Sequence, residues 1–215
     1  KGEFNKSRKL LNFEIKKNAA NSAAFYFLGY NSFLESVFAE NPTKDEALID
    51  TLDNLLNNIE KQKENELKKY ALGELQMHLG MIKLRQGSYV SGLFELRKAY
   101  ALLEKNKENY PDFLLTDKTY YILQALLSNV PEQYKDLIEF FGYGTDQYLA
   151  IAKLDTLQES LKSNIEFGFF RKEVELFRAV LMHTLTDKYA EAYDIIKENT
   201  PDYKTNPVSC FIRSK

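Results

Sequence analysis

At 215 residues and 25.0 kDa the chain is long enough to bury a continuous core without metal or disulfide staples. Its 29 basic and 31 acidic residues leave a net charge of −2, and the Lys-rich run 60–69 alternates in sign as a solvated helix face does, so the reading is no nucleic acid. The single cysteine, Cys210, excludes an intrachain disulfide, and apolar stretches such as 23–30 fall short of the about 18 residues that cross a bilayer, so no transmembrane segment is expected.

Apolar residues recurring at steps of three and four predict helices along the whole chain, the first two over 3–17 and 20–39. Asn41-Pro42 followed by Thr43 and Glu46 has the spacing of a capping box and opens a helix over 43–61, with Leu48, Leu52, Leu55, Leu56 and Ile59 on its stripe. Helices over 66–86 and 88–106 follow, and Tyr89, Leu93, Leu96, Tyr100 and Leu103 mark one face of the latter. Further helices are expected over 114–128, 131–141, 145–162, 165–185 and 188–199, with Asn206-Pro207 opening a short one over 208–213. No strand is required. Short connections imply antiparallel neighbours, so the expected fold is all-α, a row of helical hairpins forming a single domain over 1–215. With Lys1 first and no signal-peptide pattern, the chain reads as a fragment or processed portion of a longer one, compatible with cytoplasm or periplasm.

Three turns are alike. In Gly2-Glu3-Phe4, Gly87-Ser88-Tyr89 and Asp187-Lys188-Tyr189 a turn residue precedes an aromatic by two positions, and a small residue, Ser7, Gly92 or Ala192, follows three later. Leu28-Gly29 and Leu79-Gly80 stand upstream of two helix ends. This pattern resembles the tetratricopeptide repeat, in which small residues let the two helices of a hairpin approach closely and the aromatic plugs the turn. The resemblance implies a helical-hairpin array, an α-α superhelix, with non-standard inserted helices, because Phe4, Tyr89 and Tyr189 are not spaced at multiples of one repeat. The run 126–154, with its Gly142-Tyr143-Gly144 turn, and the segment 170–193 with Met182-His183-Thr184 look like the tetratricopeptide-repeat-protein-39 and inclusion-body-clearance family. Thr145, inserted before Asp146, departs from that family's turn. The likeness implies scaffold-like roles rather than catalysis.

The search for chemistry yields no catalytic, metal or cofactor residues. His78 and His183 lie in separate predicted helices with no ligand at metal spacing, and both read as packed, hydrogen-bonded histidines. Gly142-Tyr143-Gly144 follows a helical pattern and lacks the Lys-Ser/Thr of a phosphate loop, so it reads as a sharp turn between helices. Glu173 and Glu175 point to different sides of one helix, and Cys210 reads as a free thiol near the end of the chain.

If the repeat resemblance holds, the groove-facing positions are Tyr26, Tyr30 and Phe33, then Met77, Met81 and Leu84, then Phe177 and Leu181. All are apolar or aromatic, unlike the Lys, Asn and Arg clamp with which related co-chaperone domains grip a carboxylate. Either they are core, covered by the helices over 114–141 with Tyr120, Tyr121, Leu123 and Phe140, or part of the groove stays open. The expected function is a non-enzymatic interaction scaffold with a protein or peptide partner. The alternative is a carrier of a hydrophobic small molecule or lipid.

Overall fold

The computed structural model describes residues 3–39, 45–142, 146–205 and 207–214. Among them the regular structure is helical, and no strand occurs: the all-α expectation holds. The helices are α1 (Phe4–Lys17), α2 (Ser22–Ala39), α3 (Asp45–Glu60), α4 (Glu66–Arg85), α5 (Tyr89–Asn109), α6 (Leu114–Leu127), α7 (Lys135–Phe140), α8 (Gln147–Lys162), α9 (Arg171–Leu185), α10 (Tyr189–Asn199) and α11 (Pro207–Ser214). Tight single turns of 3-10 type stand at Glu132–Tyr134 and Gly168–Phe170. The chain gathers into two compact units, Lys1–Pro111 and Asp112–Lys215.

In the first unit α2 packs on α1, α3 and α4, while α4 also meets α3 and α5. Being surrounded, α4 buries every residue from Tyr70 to Gly80, polar ones included. Its pairing with α5 depends on glycine. A Cβ on Gly80 would stand 2.7 Å from Leu96 Cδ2 and 3.0 Å from the Gly92 carbonyl oxygen, and one on Gly92 would meet Leu84 at 2.8 Å. The two backbones therefore approach without intervening side chains. Gly87 closes the hairpin with φ +79°, in the left-handed region. There the Ser88 amide donates to the Lys83 carbonyl at 2.9 Å and the Gly87 amide to Leu84 at 3.0 Å, which satisfies the last carbonyls of α4.

A buried carboxylate ties three of these helices. Asp45, at the start of α3, accepts hydrogen bonds from Ser36 Oγ at 3.0 Å and Arg85 Nε at 2.9 Å, and a second Arg85 nitrogen donates to both partners. The capping residues Asn41 to Thr43, and Gly2 of the first turn motif, lie outside the described residues.

In the second unit α8 lies against α6 and α9, α6 also touches α9, α10 packs on α9, and α11 on α10. Asp146 caps α8 by accepting the Tyr148 and Leu149 amides at 2.9 and 3.0 Å. Buried Lys118 on α6 donates to Glu173 on α9 at 2.8 Å, so Glu173 is committed to an ion pair. Gly142 turns the chain after α7 with φ +76°, whereas Tyr143 to Thr145 lie outside the described residues.

Two boundaries differ from the sequence reading. The helix expected over 165–185 starts only at Arg171, after the 3-10 turn at Gly168–Phe170, and ahead of that turn the Asn164 side chain accepts the Phe167 amide at 2.6 Å. Ile165 is left fully exposed there, and Phe169 largely so. The segment 131–141 divides into the turn at Glu132–Tyr134 and the short α7.

Candidate functional site

The residues expected to face a groove mostly face the interior. Tyr26, Phe33, Met77 and Leu181 are buried, and Tyr30, Met81, Leu84 and Phe177 are half-buried. In the first unit the Tyr26 and Tyr30 rings stack at 6.0 Å, the His78 ring stacks 4.1 Å from Phe33 and 5.5 Å from Tyr30, and Leu84 lies over Gly92. The Tyr26 hydroxyl stands 3.3 Å from both the Tyr70 hydroxyl and Glu74 Oε1, and the other side of that carboxylate oxygen faces His78 Nε2 at 3.9 Å. Tyr70, Glu74 and His78 recur at steps of four on α4 and so share one stripe. Sequence reasoning passed over Tyr70 and Glu74, although that spacing beside the aromatics of α2 was the available signal. In the second unit Leu123 is wholly buried and Tyr120 sets its ring edge-on to Tyr121, whereas the side chain of Phe140 lies outside the described set.

An open concavity lies elsewhere. Between α9, α10 and α11 runs a cleft of about 440 Å³. Steps of three and four on α9 bring Val180, His183 and Thr184 to one side, and Tyr189, Tyr193 and Ile196 of α10 line the other. Ala190 and Ile212 complete the apolar lining, with Arg213 at its α11 side. Val180, Tyr189 and Tyr193 are 41%, 54% and 51% exposed, which is high for side chains of this type that cluster.

Among the described polar side chains of the cleft Arg213 can only donate, whereas His183, Thr184, Tyr189 and Tyr193 can donate and accept. The Thr184 hydroxyl is turned back to the Val180 carbonyl at 2.7 Å. The Arg213 guanidinium lies 4.1 Å above the Tyr203 ring and makes no ion pair among the described residues. Among the described residues that line the cleft there is no acidic side chain. His183, expected to be packed, is exposed instead and meets Tyr189 edge to face at 5.5 Å. Its stripe on α9 is the one the cleft leaves uncovered. Tyr189 likewise lines the cleft rather than plugging a turn.

Elsewhere in the second unit a smaller concavity of about 240 Å³ contains Arg178, whose guanidinium lies 3.2 Å from Asp155 and 3.9 Å from Glu191. In the first unit Glu95 holds a charge network on α5. It accepts from Gln76 and Lys83, both at 2.6 Å, and from Lys98 at 2.8 Å. Burial alone would raise its carboxyl, and the hydrogen bonds and charges of Lys83 and Lys98 outweigh that and hold it below the ordinary value. Cys210 is exposed. Among the described residues no group of three His, Cys, Asp or Glu side chains could hold a metal ion, and no helix is long and apolar enough to cross a membrane. No protein-family model, curated protein or solved structure matches the chain.

Proposed function

We propose that the protein is a non-enzymatic interaction scaffold of the tetratricopeptide type, and that the cleft between α9, α10 and α11 receives a short segment of a partner protein. The carrying observation is the apolar lining of that cleft beside half-exposed Tyr189 and Tyr193. Tyrosines in such a place supply large contact area at low entropic cost and can orient polar groups of a bound chain. Arg213 and His183, with no acidic side chain among the described lining residues, favour a segment that carries one or two apolar anchors next to a carboxylate. The repeat reading is supported by the glycine-mediated approach of α4 and α5 and by the equal length of the turns 86–88 and 186–188.

The test is selection of peptides on the purified protein from a random library. Enriched sequences should pair apolar anchors with an acidic residue, lose about tenfold or more in affinity on Tyr193→Ala, and lose their acidic preference on Arg213→Gln. No enrichment, or binding indifferent to Tyr193, refutes the reading. An acyl-sized mass retained in native mass spectrometry after gentle purification would mark the cleft as the site of a hydrophobic-ligand carrier instead.

A further inference from the structure

The outer face of α1 is strongly biased toward basic and apolar side chains. Around a helix of 3.6 residues per turn, Lys6, Lys9, Leu10, Phe13, Lys16 and Lys17 fall on one side. All six are exposed, Leu10 and Phe13 at 63% and 67%. The opposite side seats α1 on α2: Phe4 places its ring 6.3 Å from that of Phe38, and its carbonyl accepts from Asn31 at 3.3 Å. Arg8 turns that way too and pairs with Glu35. The outer lysines are nearly unopposed. Lys6 pairs with Glu3 at 3.2 Å, while Lys9, Lys16 and Lys17 make no ion pair among the described residues. In a chain of net charge −2 this helix carries Lys6, Arg8, Lys9, Lys16 and Lys17 against Glu14 alone.

We propose that this face docks on an anionic phospholipid surface, with Phe13 and Leu10 entering the headgroup layer and the four lysines meeting lipid phosphates and carboxylates. Charge complementarity sets the sign of the partner. The shape of the face favours a membrane over an acidic protein or a nucleic acid. Phe13 and Leu10 stand on the convex outside of a single helix, where a folded partner would need a matching groove, whereas a fluid interface yields to any side chain. Lysines, with long apolar stems and compact charges, keep their ammonium groups among headgroups while the stems follow the ring inward. Attachment of this kind is peripheral and depends on salt.

The chain contains no Trp, so Phe13→Trp places a single fluorescent reporter at the centre of the face, at a site exposed enough to accept it. Mixing this variant with vesicles of phosphatidylcholine containing roughly one-third phosphatidylserine should shift its emission to the blue, and high salt should reverse the shift. Pure phosphatidylcholine should leave the emission unchanged. In sedimentation with the same vesicles, Lys9→Gln with Lys16→Gln should weaken binding about 25-fold, at about fivefold per lysine. Phe13→Ala should weaken it about tenfold with unaltered circular dichroism. Absence of a shift with anionic vesicles, equal binding to neutral ones, or binding indifferent to the lysine pair would each overturn the proposal. Tight binding to polyglutamate or duplex DNA without binding to vesicles would overturn it as well and reassign the face.

Discussion

The hairpins α4–α5 and α9–α10 begin from turns of the same length and end as different objects. Counted from those turns, Gly80 corresponds to Val180, Gly92 to Ala192, and Leu93 to Tyr193. In the first hairpin Gly80 and Gly92 bring the backbones together and Leu93 is 2% exposed. In the second, Val180 and Tyr193 stand 41% and 51% exposed and face the cleft. The turn chemistry differs as well: Gly87 closes the first through a left-handed residue, and Thr186 closes the second by donating its hydroxyl to the Met182 carbonyl at 2.7 Å and accepting the Lys188 amide at 3.2 Å. Val180 and Tyr193 in place of Gly80 and Leu93 therefore distinguish a hairpin that serves as core from one that offers a surface, whereas Ala192 is buried as Gly92 is.

Exchange at the paired position should break this comparison most sharply. Gly80→Val drives a branched side chain into Leu96 and the Gly92 carbonyl and should cost about 3 kcal/mol in urea denaturation. Val180→Gly, at a position 41% exposed, should cost only about 1 kcal/mol, a few tenths from helix propensity and the rest from the partly covered side chain. Similar losses from both would abolish the distinction. Next in size, Asp45→Ala should cost about 2 kcal/mol by the same measurement, because it leaves Arg85 and Ser36 without their shared buried acceptor. Arg85 reaches solvent, which keeps the loss below that of a fully buried pair.

A smaller effect should appear with pH. The Glu95 carboxyl is held below its ordinary value of about 4.5, so its folded-state stabilisation is present above that value and is lost as pH falls through the depressed one. Glu95→Gln should flatten the acid side of the stability profile by about 1 kcal/mol or less and leave its alkaline side parallel to wild type. Smallest of all, Tyr193→Ala should change stability by within about 0.5 kcal/mol, since its ring lies in the open cleft. A loss several times larger would mean that the cleft wall is core after all.

Much of the helical order was legible because it rests on local spacing. Leu48, Leu52, Leu55, Leu56 and Ile59 form the buried stripe of α3, and Leu93, Leu96, Tyr100 and Leu103 that of α5, as their steps of three and four indicate. The late start of α9 was not legible in the same way, since the apolar spacing runs on through 165–170, where one asparagine side chain takes the Phe167 amide and a 3-10 turn replaces the first helical turn. The candidate site was legible in kind but not in place. Apolar, aromatic character at Tyr26, Phe33 and Met77 is shared by core and groove, and periodicity shows only which residues align, not whether a neighbour covers them. Val180 and Tyr193 were missed because their exposure arises from the spacing of two helices. The basic face of α1 escaped because the charge balance was read over the whole chain and over 60–69, where signs alternate.

The most direct test of the account is hydrogen exchange of the protein with and without a peptide selected on it. Protection should concentrate over 180–196 and 207–214, leaving Tyr26 to Phe33 and Met77 to Leu84 as they are in the free protein. Protection confined to those α2 and α4 residues, with the cleft unchanged, would contradict the assignment of the binding surface to α9, α10 and α11.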